Sequence, residues 1–284
     1  MYFHSIKHTL TSLLPTVFML AGIFIPQFAD AALLVQGDSG TFNMNLYRDV
    51  LAQATGGNQN NPGHYLVNYY DTLESDYRTR SDSSIYFNNP LRDEVSAQNL
   101  LHDITPASLT APANQAPGRY VKSSSPDFSL DTQSLTGTGS LGMTGIELYK
   151  GRYNGALIYG DYALHYNPEF RQEVMDEFGY SYPVSGWYLQ NNVSFSAVVY
   201  DLQKLALVYH NATDWMLQGD LALTPENSLL LKIPPNTRVG DFCLGFGEFS
   251  GCGQTTVPLP GAAWLWLSGL CGWAFNARRR RSQS

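Results

Sequence analysis

The groups able to do chemistry in this 284-residue chain are a set of carboxylates, six histidines and three cysteines. Glu147, Asp161, Asp176, Glu177, Asp201 and Asp220 are the acids from which a glycosidase-type pair would be drawn. That chemistry needs two carboxyl groups about 5–10 Å apart across a groove, one protonating the leaving oxygen and the other attacking or activating water. Sequence spacing sets no two of them at that separation, and solvated strand faces or turns account for them equally well. His165 and His210 fall on strand-like stretches and are read as strand-surface residues. Neither HExxH nor GxSxG occurs, so no catalytic residue is assigned. Gly137, Gly139 and Gly142 match a dinucleotide-binding pattern by letter. The pattern works only between a buried strand and a helix, and here a strand-like "IELYKG" follows it. A glycine-rich turn is expected, and no cofactor. No metal site is expected either: CxxC and DxDxDG spacings are both missing.

Rings with polar tips are abundant: Tyr159, Tyr162, Tyr166, Tyr180, Trp187 and Tyr188. Exposed, they would stack on sugar faces; buried, they are core, and core is the expectation for each. Asn192 and Asn211 open glycosylation sequons by letter.

The elements positioning these groups read as strands. Hydrophobic residues make up 44% of the chain, enough for a packed core, while charged residues are only 14%. Exposed helix faces need more charge than that, whereas Tyr, Gly, Asn and Ser suit strands and tight turns. "GIELYKG", "ALIYGDYALHY" and "GWYLQNNVSFSAVVYDLQKLALVYHN" read as strands, the last broken at Asn-Asn. In "WMLQGDLALT", a period of two places Trp215, Leu217, Gly219, Leu221 and Leu223 on one face. "SLLLKIPP" reads as a further short strand stopped by proline. "NPEFRQEVMDEFG" reads as a helix, with Pro168 in its first turn and a closing glycine. Short helices are also expected in "TFNMNLYRDVLAQATGG" and in "NPLRDEVSAQNLLHDI". The fold class is all-β: an antiparallel β-sandwich with a few short helices, plus an N-terminal signal helix and a C-terminal transmembrane helix. Residues 32–138 are expected to be the less regular part, and 139–256 the sandwich core, of one domain spanning 32–256.

Both ends read as address labels. Lys7 precedes the apolar run Leu10–Ile25, and Ala29-Asp30-Ala31 fits a small-x-small cleavage site. A signal peptide is therefore expected over 1–31, which implies export to a compartment that permits disulfides. There Cys243 and Cys252, flanking a glycine-rich loop, are expected to pair, stabilising by about 2–3 kcal/mol. At the far end Val257, Pro258, Leu259, Pro260 and Gly261 precede an apolar stretch containing Cys271, expected to stay a free thiol. From Leu259 to Ala277 the stretch is near the minimum for a bilayer core. Arg278, Arg279, Arg280 and Arg281 follow and hold that end on the cytoplasmic side. The whole chain carries a net charge of −7. Without Lys7, Asp30 and the four terminal arginines it retains 12 basic and 23 acidic residues, a net −11. Such a body repels a phosphate backbone, so nucleic acid is not an expected partner.

The order of proline motif, short apolar helix and basic tail resembles the PEP-CTERM class of sorting signals, in its VPLPA variant, over 257–281. Gly261 stands where that variant has alanine. The resemblance implies an exosortase as partner, transient residence in the inner membrane of a Gram-negative bacterium, and release to the cell surface or beyond. "YGDYALHYNP", "GWYLQNN", "FSAVVYDL", "QGDLALTPE" and "VGDFCLGFG" loosely resemble the bodies of such proteins, which implies a secreted β-domain and no enzyme class. The expected function is that of a processed surface or matrix protein, structural or associated with exopolysaccharide. The alternatives are an extracellular polysaccharide hydrolase, and a permanently anchored periplasmic protein if Gly261 blocks processing.

Overall fold

The computed structural model describes residues 33–36, 39–53, 64–70, 94–109, 119–151 and 156–252. All belong to one compact unit, Ala31–Ser284. The expected signal peptide (1–31), Cys271 and the sorting signal (257–281) lie outside the described residues. Among the described residues, no helix is long and apolar enough to cross a membrane.

The chain is mostly antiparallel β-sheet with a few short helices. Eight strands form the main sheet, in the order β4 (Leu100–Asp103), β2 (Gly40–Leu46), β14 (Arg238–Phe246), β13 (Asp214–Leu223), β12 (Ala197–Asn211), β11 (Trp187–Asn191), β10 (Ala163–Tyr166) and β7 (Ser140–Gly142). Two three-stranded sheets accompany it. One joins β1 (Leu33–Val35), β5 (Ser129–Asp131) and β6 (Gly137–Thr138); the other joins β3 (His64–Tyr70), β8 (Ile146–Gly151) and β9 (Ala156–Gly160). Among the described residues the helices are α1 (Arg48–Gln53), α2 (Pro168–Glu177) and α3 (Pro225–Leu231), and a 3-10 segment spans Gly247–Cys252.

Alternation along each strand decides what the main sheet buries. Trp215, Leu217, Leu221 and Leu223 of β13 all enter the core, as a period of two requires. Leu217 lies opposite Leu244, which lies opposite Phe42, and Leu221 reaches Leu46 through Gly240 in the same way. Rows of this kind make one continuous apolar face, joined by Leu34 and Leu130 of one small sheet and by Leu66, Tyr149 and Tyr159 of the other. The two edge strands of the main sheet also meet. Ile104 and Met143 form an antiparallel bridge, closed by Thr105 N–H to Gly142 O (2.9 Å) and Thr144 N–H to Asp103 O (3.0 Å). The sheet thus curls back on itself and protects its edges, which a simple two-layer sandwich leaves open.

Several local expectations need correction. Within 32–138, the part expected to be less regular, β2 and β4 are built into the main sheet. Phe42, Met44 and Leu46 alternate with Asn43 and Asn45, which is the pattern of a half-buried strand, while the short helix expected before Gly56-Gly57 is α1. In "NPLRDEVSAQNLLHDI" the described part ends in β4 rather than in a helix, with Leu100 and His102 turned inward. "SLLLKIPP" belongs to α3 and to the turn after it, not to a strand. Thr224 caps that helix by accepting the Asn227 N–H (3.2 Å), Pro225 opens it and Lys232 closes it at a φ of 55°. The same cap-and-proline signal marks α2, as expected, where Asn167 accepts the Phe170 N–H at 2.9 Å.

Candidate functional site

The outer face of the main sheet is treated differently at its two halves. Over β11 and β12 it is covered by α2, whose Arg171 reaches down to Asp201. Over β12, β13, β14 and β2 it is open and polar. Residues that alternate with the core set point outward there and fall into two cross-strand rows. Asn43, Cys243, Gln218 and Ala206 form one; Asn45, Asp241, Asp220 and Gln203 form the other. All of them but Gln203, together with Asn99, Lys204, Met216 and Arg238, line an open depression of about 520 Å³.

Asp220 and Asp241 are direct cross-strand neighbours, an arrangement that destabilises a sheet unless it is compensated. Arg238 Nε donates to Asp220 Oδ1 at 2.7 Å, and Lys204 Nζ lies 2.8 Å from Asp220 Oδ2. A register shift between Gln203 and Ala206, with Lys204 at a φ of 49°, marks the bulge that re-aims the lysine. Asp241 accepts from Asn45 Nδ2 (2.8 Å) and from the Tyr47 hydroxyl (3.1 Å). Burial, then the Asp241 carboxylate, holds the Tyr47 phenol above its ordinary pKa, so it stays a donor. The Arg238 guanidinium sits 4.9 Å over the Tyr47 ring. Two cations face two carboxylates, so the lining carries no net formal charge within an acidic body. Recognition here falls to hydrogen bonds. Asn43 lines the depression with an unused acceptor: its Oδ1 is buried and accepts nothing from the described residues. At one side the disulfide between Cys243 and Cys252 ties β14 to the 3-10 segment. Gly251 N–H of that segment donates to Thr41 Oγ1.

The chain matches no protein-family model, no curated protein and no solved structure. Its function must therefore be argued from this geometry.

The other acids singled out in the sequence sit elsewhere. Glu147, Asp161 and Asp201 are buried. Arg119 clamps Asp161 through two hydrogen bonds, 2.6 and 3.0 Å long. Glu147 Oε2 accepts from Tyr149 and Tyr162, each at 2.7 Å, and its Oε1 is 3.2 Å from His102 Nε2. That last pair is within ion-pair range but off the hydrogen-bond line. Asp176 pairs with Gln172 on the exposed face of α2. Asp220 alone of the six reaches the depression; its partner Asp241 was not among them. The signal that marks Asp241 is its alternation with Gly240 and Phe242 on a strand otherwise rich in apolar residues. Gly137, Gly139 and Gly142 lie in and between strands β6 and β7, not before a helix. Tyr159, Tyr162, Trp187 and Tyr188 are core, while Tyr180 is exposed. Asn192 is buried and donates to Asp161 O (3.0 Å).

His165 stacks on Tyr188 (5.4 Å), and burial lowers its pKa; burial lowers that of His64 as well. Each stays neutral when folded at a pH where the unfolded chain takes a proton. The unfolded state then binds more protons, so stability falls as pH drops below about 6.5. Urea unfolding should show this fall, and His165→Gln should make it shallower. An unchanged pH slope in the variant would exclude His165 as its source.

Proposed function

We propose that this is an exported, exosortase-processed surface protein whose β-body holds exopolysaccharide in the open depression on its main sheet. The observation that carries the proposal is the double row of planar hydrogen-bonding side chains, with the unsatisfied Asn43 Oδ1 among them. Sugar hydroxyls both donate and accept, and amides, carboxylates and a guanidinium offer both roles in fixed planes. A buried acceptor without a donor costs about 1–3 kcal/mol, which a bound hydroxyl would recover once the Asn43 amide turns its Oδ1 to the depression. An open depression suits a polymer lying along it better than an engulfed small molecule. Zero net lining charge favours a neutral chain of sugars over a polyanion. Asp220 and Asp241 are already engaged by Arg238, Lys204, Asn45 and Tyr47, which favours holding over hydrolysis. Delivery to the surface rests on the two terminal labels.

Retention of the full chain on immobilised exopolysaccharide from the producing cells tests this reading. Asn43→Ala should weaken retention about tenfold, the value of one hydrogen bond at ~1.4 kcal/mol, without lowering fold stability. Binding should survive raised salt, because no net charge drives it. Absence of retention, or equal retention by Asn43→Ala and Gln218→Ala, rejects the depression as the site. For the sorting half, the mass of the surface protein should place its C-terminus within or just beyond Val257–Gly261. A mature protein that still carries Arg281 rejects processing and leaves a permanently anchored chain.

A further inference from the structure

We propose that His210, Asp214 and Glu248 form a surface site for a transition-metal dication of the zinc class, separate from the groups lining the depression. His210 is the next-to-last residue of β12, Asp214 begins β13, and Glu248 belongs to the 3-10 segment that follows β14. One ligand atom from each lies within 4.8 Å of the other two. His210 Nδ1 is 3.2 Å from Asp214 Oδ2 and 3.8 Å from Glu248 Oε2. Donors around one zinc ion, each about 2.1 Å from it, stand roughly 3.0–3.4 Å apart. The first separation already fits, and the second needs Glu248 to close by less than the rotation of one exposed side chain.

A proton does not explain the arrangement as well as a dication does. One proton on Nδ1 serves one acceptor, and the Glu248 oxygen is beyond hydrogen-bond range. Two carboxylates brought to one nitrogen repel each other, yet Glu248, although 82% exposed, keeps Oε2 within 3.8 Å of Nδ1. A dication satisfies all three donors. Asp214 is held for this role from behind: its Oδ1 accepts the Glu248 N–H at 2.9 Å, which leaves Oδ2 to face the ring. Gly247 makes that approach possible. Its φ is 62°, and a Cβ there would sit 2.8 Å from Asp214 Oδ1. The His210 ring is further fixed against Phe249, at 4.9 Å between centroids. The disulfide at Cys252 anchors the segment that carries Glu248. One imidazole and two carboxylates leave the remaining positions to water. That set suits Zn²⁺ and its neighbours in the first transition row, and is too small for Ca²⁺, which takes 6–8 oxygens.

Equilibrium dialysis of the full chain against Zn²⁺ alone, with Ca²⁺ as control, decides it. The wild-type chain should bind one Zn²⁺ that His210→Ala loses and Glu248→Gln binds about tenfold more weakly or worse. Both residues are exposed, so neither variant compromises folding. Zn²⁺ should raise the melting temperature of the wild type and not that of His210→Ala. No Zn²⁺ binding by the wild type overturns the proposal. So does equal binding by either variant, or Ca²⁺ binding as tight as Zn²⁺.

Discussion

Replacing Arg171 with methionine should lower the stability of the folded chain by about 3–5 kcal/mol. Arg171 is fully buried beneath α2. Its Nε and Nη2 donate to the two Asp201 oxygens at 2.7 and 3.1 Å, and Nη1 donates to Glu226 Oε1 at 2.8 Å. Its guanidinium also lies 5.7 Å from the Tyr188 ring. Methionine replaces much of the aliphatic stem but leaves Asp201 with no cation while 1% exposed. Glu226, at 25%, can turn to water, so Asp201 carries most of the loss.

The pH dependence separates charge from packing. Burial raises the Asp201 pKa above its ordinary value, and Arg171 works against that rise. Without Arg171 the folded-state value climbs further. A folded state that binds more protons than the unfolded one loses stability as pH rises from the unfolded pKa, near 4, through the folded one. The deficit of Arg171→Met should thus be largest at neutral pH and shrink in acid. Asp201→Asn added to Arg171→Met should recover a substantial part of it. A deficit that is the same at about pH 7 and about pH 4.5 would assign the effect to lost packing under α2 instead.

The contrast between α2 and α3 shows what was legible in the sequence. Asn167-Pro168-Glu169 and Thr224-Pro225-Glu226 carry the same helix-opening chemistry, a side-chain cap followed by a first-turn proline and an acid. The first reads as a helix because a first-turn proline, early acids and a closing glycine frame it. The second was overridden by the apolar run Leu229-Leu230-Leu231, although Leu229 and Leu230 are exposed and only Leu231 packs inward. Period-two strands such as β13 were legible because their alternation is local. The pairing of Cys243 with Cys252 was legible from short spacing and expected export. The open depression was not, because it depends on register. Asn43, Cys243 and Gln218 share a row only once β2, β14 and β13 are paired, and no local pattern sets that alignment. Buried charges were illegible for the same reason. Arg171 finds Asp201 30 residues away, and Arg119 finds Asp161 42 residues away. A sequence scan sees only isolated charges on apolar stretches, which read as surface.

Glu147 is the second such position, and its two substitutions should diverge sharply. Glu147→Ala should cost about 3–5 kcal/mol, since it opens a cavity and strands several buried donors at once. Tyr149 and Tyr162 both donate to Oε2, and burial together with Glu147 holds each phenol well above its ordinary pKa, so neither escapes by ionising. His102 completes the cluster. Its Nδ1 is 2.8 Å from Thr144 O, a carbonyl that can only accept, so Nδ1 carries the proton. Gly145, at a φ of 112°, is what lets the chain pass this ring, because a Cβ there would collide with it. Nε2 then faces Glu147 Oε1 at 3.2 Å, where two lone pairs oppose each other unless one atom carries a proton. Glutamine can reproduce that arrangement without a charge. Its amide oxygen accepts from both tyrosines and its NH₂ donates to Nε2 of a neutral imidazole. Glu147→Gln should therefore cost less than half of what Glu147→Ala does in urea unfolding at neutral pH. If glutamine proves as damaging as alanine, the pair is an imidazolium against a carboxylate. The core of this fold would then be held by a buried charge rather than by a closed circuit of neutral hydrogen bonds.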